Sequence, residues 1–285
     1  MNLPKPLSEP LPAGLYIVAT PIGNLGDMTA RAADVLRRAA LIAAEDTRVT
    51  AKLLRHIGST ASMTPYHDHN ADAVRPRLLA KAATEAVALV SDAGTPLISD
   101  PGFKLVRDAR AAGIAVTTLP GACAAIAALT LAGLPTDRFL FAGFLPAKAG
   151  ARGSAIDEVK GLRATLVFYE SGPRLGATLA DLAARLGDRP AAVAREISKR
   201  FEEVVDGQLS SLATRYADAP PKGEIVIIVG PPGDAPEASA DDLDAALTRA
   251  LAAQPLKSAV AEVAAALNLP RKQVYARALD LKDGD

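Results

Sequence analysis

The sequence is poor in the residues that build disulfides and metal centres. It contains one cysteine, Cys123, and three histidines among 285 residues. A single cysteine excludes an internal disulfide framework and a cysteine-based zinc cluster. The histidines, of which His67 and His69 are near neighbours, do not form a ligand pattern either. We therefore expect no metal site and no enzyme of the Ser-His-Asp type.

Net charge and long apolar runs are also missing. The 32 lysines and arginines balance the 32 acidic residues, so no global field attracts a nucleic acid and RNA contacts must come from local basic patches. The apolar stretch 119–135 is alanine-rich and too short for a membrane span. The proline-rich N-terminus lacks the apolar centre of a signal peptide. These features predict a cytoplasmic protein without a membrane segment.

Short apolar runs alternate with helical patterns over the first 120 residues. We predict strands at 15–21, 41–46, 86–92 and 114–120, and helices at 29–40, 47–58 (closed by Gly58), 103–113 and 122–133. The strands lack polar alternation and are each followed by a helix. This pattern predicts a mainly parallel sheet that is covered on both faces.

A second set of elements begins near residue 137, with strands at 138–146, 165–171, 191–197 and 223–230 and helices at 172–187 and 209–217. Residues 201–209 alternate, as in a member of an antiparallel pair. A linker at 231–242 precedes purely helical patterns, including the apolar stripe Val260, Val263, Ala264 and Leu267. The sequence thus predicts an α/β protein with two α/β domains, 13–120 and 121–232, and a small helical unit, 241–285.

Several common nucleotide-binding and nucleophile motifs are absent. The loop after the first predicted strand, Gly23-Asn24-Leu25-Gly26, is not a dinucleotide fingerprint, and the chain has no P-loop, no G-x-S-x-G elbow and no D-x-G-x-G-x-G loop. Polar turns remain at the strand ends: ATPIGNLGD, AEDTR, SDAGTPLISDPG, LPGACAA and YESGPR. Because ligands of open α/β sheets bind beyond the carboxyl ends of the strands, these turns predict a cleft there.

Five segments carry a specific resemblance: LYIVATPIGNLGDMTARA, IAAEDTR, VALVSDAGTPLISDPG, LPGACAAIAALTLAGLPTDRFLFAGFLP and FYESGPR. In this order they resemble the ribosomal small-subunit RNA 2′-O-methyltransferase I family of the tetrapyrrole methylase superfamily. The resemblance covers roughly residues 13–232, and the C-terminal helices are similar to the family's helical appendage.

The resemblance implies a homodimeric class III methyltransferase that binds S-adenosylmethionine in the cleft between its two α/β domains. Its substrate would be the ribose 2′-oxygen of a decoding-site cytidine, cytidine 1402, in 16S rRNA. Whether the enzyme acts on free rRNA or on the assembled small ribosomal subunit is left open. The implied cofactor contacts are Gly94, Thr95, Pro96, Ile98, Cys123 and Ala124, to which we add Pro21 and Tyr169 from neighbouring turns. Glycine at 94 would let the cofactor approach the backbone.

A ribose hydroxyl is a weak nucleophile and needs a base or a polarising cation. Asp46 is the first candidate base, with a helix N-cap as its other reading, and Glu45 is the second candidate. Lys199 is a candidate for stabilising the developing alkoxide. Asp92 is expected to satisfy turn N–H groups, and Asp100 is left open between a turn role and the cofactor.

RNA contacts are expected from exposed cations, because a guanidinium matches phosphate geometry. The candidates are Arg48, Arg174, Lys148, Arg152 and Arg200. Over residues 257–282 five basic residues face two acidic ones, so an RNA contact in the C-terminal helices is left open.

Two other functions compete with this interpretation. A tetrapyrrole (precorrin) C-methyltransferase would share the fold, but it usually has aspartate where Thr95 stands here. A non-catalytic RNA-binding or assembly protein could keep the fold without binding the methyl donor.

Overall fold

The computed structural model describes residues 11–233, 240–267 and 269–283. The chain divides near residue 231 into a large α/β unit and a small helical unit. Among the described residues, no helix combines the length and the apolar character that crossing a membrane requires.

The first half of the large unit contains a parallel sheet of five strands in the order β3-β2-β4-β1-β5. The strands are β1 (Gly14–Val18), β2 (Leu41–Ala44), β3 (Met63–Pro65), β4 (Ala86–Val90) and β5 (Val116–Leu119). The helices between them are α1 (Ala30–Arg38), α2 (Thr47–Ile57), α3 (Ala71–Ala82) and α4 (Phe103–Ala111), and a 3-10 turn spans Leu25–Asp27. The predicted parallel sheet is confirmed.

Both faces of the central strands β1, β2 and β4 are buried, which explains why their sequences are unbroken apolar runs. The edge strands β3 and β5 are partly exposed. On one face, Val18 and Val90 pack with Val35 and Leu36 of α1. On the other face, Leu89 packs with residues of α3 and α4. Helices α1 and α2 therefore cover one side, and α3 and α4 cover the other. Because the helices that follow the neighbouring strands β1 and β4 lie on opposite faces, the gap beyond these two strands is the topological switch point.

The second half contains a mixed sheet in the order β6-β7-β10-β8-β9. Its strands are β6 (Phe139–Phe144), β7 (Thr165–Ser171), β8 (Pro190–Arg195), β9 (Glu203–Gln208) and β10 (Glu224–Val229). Its helices are α5 (Ala124–Leu131), α6 (Ala149–Val159), α7 (Gly172–Leu186) and α8 (Leu209–Tyr216). Only β6 and β7 pair in parallel, and the predicted antiparallel pairing of 201–209 is confirmed as β9 against β8.

Three elements of the large unit lie outside the sequence prediction. Strand β3 has three residues, which is too short for a periodic signal. Helix α3 contains Pro76, a residue that normally interrupts helices, and α6 contains Gly150 and Gly153, which lower its helical propensity. The local sequence signals of these three elements were therefore too weak to predict them, and tertiary packing stabilises them.

The small unit consists of α9 (Ala240–Ala253), α10 (Leu256–Ala266) and α11 (Arg271–Asp283). The predicted stripe on α10 is confirmed, since Val260, Val263 and Ala264 are buried and Leu267 packs against them. The start of the predicted linker, 231–233, has no regular structure, its section 234–239 lies outside the described residues, and α9 already begins at Ala240.

The predicted boundary between two α/β domains at 120/121 falls in the connection between β5 and α5. Each half has its own sheet and its own pair of apolar clusters, while the described residues up to 231 form one compact unit. The two-domain division stays a prediction.

Gly172 allows the segment before β10 to lie directly against the start of α7. A β-carbon at this position would be 1.7 Å from the Pro221 carbonyl oxygen, a clash with backbone that no rotamer relieves. Gly150 is the matched control, because it also lies in a helix but has open space around it.

We expect Gly172→Ala to lower the free energy of unfolding by about 3 kcal/mol, the upper range for overpacking. Gly150→Ala should leave stability unchanged or raise it slightly, because alanine favours helix over glycine. Urea denaturation followed by circular dichroism measures both. Equal stability of the two variants would contradict the close approach.

Candidate active site

A cavity of about 340 Å³ opens at the switch point of the first sheet and is closed by loops of the second half. The first half provides residues from the loops after β1 and β4. The second half provides residues from the carboxyl ends of β6 and β7 and from the start of β10. The cavity lining includes six residues of the predicted cofactor site: Gly94, Thr95, Ile98, Cys123, Ala124 and Tyr169. Pro21 and Pro96 are next to lining residues but do not line the cavity themselves.

Gly94 supports the cavity by pairing with Thr20. The Thr20 N–H donates to the Gly94 carbonyl at 2.9 Å, and the Gly94 N–H donates to the Thr20 carbonyl at 3.0 Å. The Gly94 N–H is therefore already used, whereas its carbonyl oxygen can accept a second hydrogen bond. Since Gly94 lines the cavity, the approach of a ligand to its backbone stays a prediction. Glycine is needed here for its φ of 82°, whereas an added β-carbon would meet Ile22 at 3.4 Å, an ordinary contact distance.

The loop after Gly94 is held in a conformation that its residues would not choose alone. Leu97 and Ser99 have φ angles of 76° and 63°, in the left-handed region that disfavours side chains with a β-carbon. The Thr95 hydroxyl donates to the Ala122 carbonyl at 2.9 Å and so ties this loop to the one before α5. This hydrogen bond holds the two loops together.

Tyr169 connects the second sheet to the start of α5. Its hydroxyl oxygen accepts a hydrogen bond from the Ala125 N–H at 3.2 Å, and its ring makes edge contacts with Phe141 and Phe144. Burial, together with the neighbouring Cys123 thiol, raises the pKa of Tyr169 to about 12. The phenol is therefore neutral at physiological pH and acts in positioning rather than as a base.

Asp46 and Glu45 are adjacent but differ in basicity. Asp46 is the N-cap of α2, accepts from the Arg48 N–H at 2.8 Å and forms an ion pair with the Arg48 guanidinium at 2.6 Å. Its hydrogen bonds with Arg48 lower the pKa of Asp46 to about 2, so this carboxylate accepts protons poorly. Burial raises the pKa of Glu45, and the nearby carboxylates of Asp100 and Asp92 raise it further.

Hydrogen bonds cross-link the ends of β2 and β4. The Asp92 N–H donates to a Glu45 carboxylate oxygen at 3.2 Å, and the Asp46 N–H donates to the Asp92 carboxylate at 2.9 Å. Asp92 thus satisfies an N–H of the neighbouring loop rather than of its own turn. Asp100 lines the cavity, and burial raises its pKa although it is hydrogen-bonded to Ser91. A desolvated carboxylate with raised pKa is typical of functional sites.

Lys199 extends from the loop after β8 towards the loop after β1. Its aliphatic carbons lie over Gly23, where an added β-carbon would be 2.4 Å from the Lys199 Cγ. Its ammonium group bonds to Glu196 and Glu224, each at 2.8 Å. Burial lowers the pKa of Lys199, but these hydrogen bonds raise it above its ordinary value, so the side chain is a cation at neutral pH. Ser198 in the same loop donates to Asp27, a second contact between the halves.

The structure separates the predicted RNA-binding cations into two groups. Arg152 is buried and donates to Asp181 at 2.6 Å, and Arg174 donates to the Leu145 carbonyl at 2.6 Å beside the buried Glu170. These two guanidinium groups hold internal structure. Arg48, Lys148 and Arg200 are exposed, although Arg48 is held by Asp46.

The sequence analysis did not predict the residues of the far wall of the cavity. It is formed by the segment leading into β10, Gly223 to Val226, with Phe144 and Ile197. The sequence of the β10 segment predicts only a buried strand, and no local pattern indicates that its first residues line a cavity. Gly223 has a φ of 101°, and an added β-carbon would be 2.4 Å from a Glu196 carboxylate oxygen, which is a signal visible only in the fold.

Comparison with known proteins agrees with this architecture. Residues 14–213 match the family model described as Tetrapyrrole (Corrin/Porphyrin) Methylases, and residues 237–282 match the RsmI C-terminal HTH domain. The Ribosomal RNA small subunit methyltransferase I of Erythrobacter litoralis is 54% identical over 96% of this chain and 98% of its own. The protein of the same name from Mesorhizobium japonicum is 47% identical over 97% and 95%.

A solved structure shares the fold at low sequence identity. It is the Uroporphyrin-III C-methyl transferase from Thermus thermophilus complexed with S-adenyl homocysteine. It is 22% identical, with a TM-score of 0.52, and the match covers 76% of this chain and 97% of that one. The predicted α/β fold with a C-terminal helical unit is confirmed.

The opposite environments of Asp100 and Asp46 lead to opposite pH effects on stability. Because the pKa of Asp100 is raised on folding, the wild type loses stability as the pH rises through that value. Asp100→Asn should therefore raise the melting temperature at pH 8, and the gain should vanish below pH values of about 4, where Asp is protonated in both states.

Asp46→Asn is the control of opposite sign. Its lowered pKa gives stability that is present above the ordinary value and lost as the pH falls towards about 2. This variant should lower the melting temperature at pH 8 and lose that effect on acidification. Scanning calorimetry between pH values of about 2 and about 8 tests both, and effects of equal sign at pH 8 would refute the assigned environments.

Proposed function

The chain belongs to the tetrapyrrole methylase family and, within it, to the proteins named Ribosomal RNA small subunit methyltransferase I, and from this we propose which atom it methylates. It is an S-adenosylmethionine-dependent methyltransferase of small-subunit rRNA. The proposed acceptor is the ribose 2′-oxygen of the decoding-site cytidine, cytidine 1402. The observation that carries the proposal is the identity of 54% across 96% of the chain with a relative of that name.

The cavity is suited to the methyl donor. Its volume of about 340 Å³ lies in the usual range for small-molecule sites, and its walls are mainly apolar. Ile98, Ile225 and Phe144 offer flat apolar surface for a purine ring, while Asp100 and the loop at Gly94 offer polar groups. Once bound, the cofactor supplies an electrophilic methyl group on sulfur. The predicted contacts that line the cavity are retained as the proposed cofactor site.

Among the predicted catalytic residues, we favour Glu45 over Asp46 as the base. A base is more effective when its pKa approaches the working pH, and the pKa of Glu45 is raised whereas that of Asp46 is about 2. Lys199 is the proposed cation near the developing alkoxide, because it remains charged and lies where the two halves meet. Transfer in line from sulfur to oxygen then depends mainly on how these groups orient the ribose.

The partners follow from the substrate. Arg48, Lys148 and Arg200, on the surface of the large unit, are the proposed contacts to 16S rRNA. Homodimerisation is proposed as well, supported by exposed apolar side chains on β6 and α5, namely Phe139, Ile126 and Leu131. A cytoplasmic location is part of the same proposal, since the substrate is the small ribosomal subunit or its free rRNA.

Methyl transfer tests the acceptor. Purified protein and tritiated S-adenosylmethionine are incubated with 30S subunits or 16S rRNA from a strain that lacks the modification. Digestion to nucleosides should place the label in 2′-O-methylcytidine. Label in a base would contradict the proposed ribose acceptor. Turnover of a precorrin instead of RNA would support the alternative function, a tetrapyrrole C-methyltransferase. Cofactor binding by calorimetry without any transfer would favour a non-catalytic RNA-binding protein.

The two adjacent carboxylates give a matched catalytic test. Glu45→Gln should lower kcat by about 100-fold or more, the usual contribution of a general base, with the Kd for S-adenosylhomocysteine within about threefold of wild type. Asp46→Asn keeps the N-cap and should change kcat by less than about threefold. Single-turnover kinetics at saturating subunit measures both. A larger loss in Asp46→Asn than in Glu45→Gln would reverse the assignment.

A further inference from the structure

The helical unit contains a groove whose cations have no acidic partner among the described residues. It lies between the first turns of α10 and α11 and is lined by Pro255, Leu256, Lys257, Val260, Arg271, Lys272 and Tyr275. We define these seven residues as the basic groove. We propose that the basic groove binds a single-stranded segment of RNA, with the three cations on its phosphates and a base stacked on Tyr275. The proposal rests on the proposed function only for the identity of that RNA.

The charge of the groove is not neutralised within the unit. Lys257, Arg271 and Lys272 are exposed and form no ion pair with any residue that the structure describes. Arg277, one turn further along α11, is different: it forms two hydrogen bonds with Asp244, at 2.6 and 2.7 Å. A cluster of unpaired cations is typical of a surface that binds a polyanion such as a nucleic acid.

The three cations also lie where they reduce helix stability. Each is in the first turn of its helix, and neither first turn contains an acidic residue. The N-terminal end of a helix carries partial positive charge, so acidic residues are favoured there and cations are unfavourable. Stability alone would not place three cations at two helix starts. An anionic partner would turn this unfavourable field into a binding site.

The floor of the groove suits a nucleobase. Tyr275 exposes 45% of its surface and lies beside Leu256 and the buried Val260. An aromatic ring next to cations is the usual platform for unpaired bases, since stacking needs only the π-face of the base while the cations follow the phosphates. A purely electrostatic contact would require no exposed aromatic ring. The combination favours a single strand over a duplex.

The test uses the full-length protein and a fluorescein-labelled single-stranded RNA with the decoding-site sequence, followed by anisotropy between 50 and about 300 mM salt. The charge variant is Lys257→Gln/Arg271→Gln/Lys272→Gln, and the stacking variant is Tyr275→Leu. Arg249→Gln, an exposed cation on α9 outside the groove, is the matched control.

The charge variant should reduce the slope of log K against log salt by about 2, since each phosphate contact contributes about 0.7. Tyr275→Leu should weaken binding about fivefold or more with an unchanged slope. The control should match wild type. The melting temperature of the charge variant should equal or exceed that of wild type, because the cations disfavour the helix starts.

Unchanged affinity and slope in the charge variant would overturn the proposal, as would equal binding of a DNA duplex of the same length. Loss of 30S methylation with unchanged binding of the free RNA would assign the groove to a ribosomal protein instead. These outcomes concern RNA binding and KM for the subunit, with kcat expected to be unchanged. A wild-type protein that transfers no methyl group would refute the proposed function and leave the groove measurement intact.

Discussion

Two backbone hydrogen bonds between Thr20 and Gly94 hold together the loops that follow β1 and β4. These strands are neighbours, yet their helices pack on opposite faces of the sheet, so the chain diverges beyond them and leaves a gap. The pair fixes the floor of that gap. It requires a left-handed φ at Gly94, and it directs the next residues into the strained turn that contains Leu97 and Ser99. The Thr20 hydroxyl adds a further bond between the two loops, to the Ser91 carbonyl at 3.4 Å.

The second half completes the site by close contacts with the first. Lys199 lies over Gly23, Ser198 bonds to Asp27, and Thr95 bonds to the loop that begins α5. Within the second half, Gly172 and Gly223 allow the start of β10 to approach α7 and Glu196. These glycines are far from one another in sequence but serve one purpose, which is to bring backbone within contact distance where a β-carbon would prevent it.

The electrostatics of the site follow from the same geometry. Glu45 and Asp46 share one strand end, but the first is desolvated among carboxylates and the second caps a helix beside Arg48. Their pKa values are therefore moved in opposite directions by surroundings that differ within a few ångströms. Two carboxylates with separated basicity are a common arrangement in active sites, and here one of the pair is a structural cap.

The alternating strands and helices, the helix ends at Asp46 and Gly58, and the family could all be predicted without a structure, because they depend on local chemistry and on motifs with a fixed order. The predicted cofactor site included six of the eighteen residues that line the cavity. The tertiary structure alone decided what those residues do. It paired the backbone of Gly94 with Thr20, buried Arg152 against Asp181 and brought β10 to the far wall. A residue's burial, partners and pKa depend on groups distant in the chain, and no local pattern encodes them.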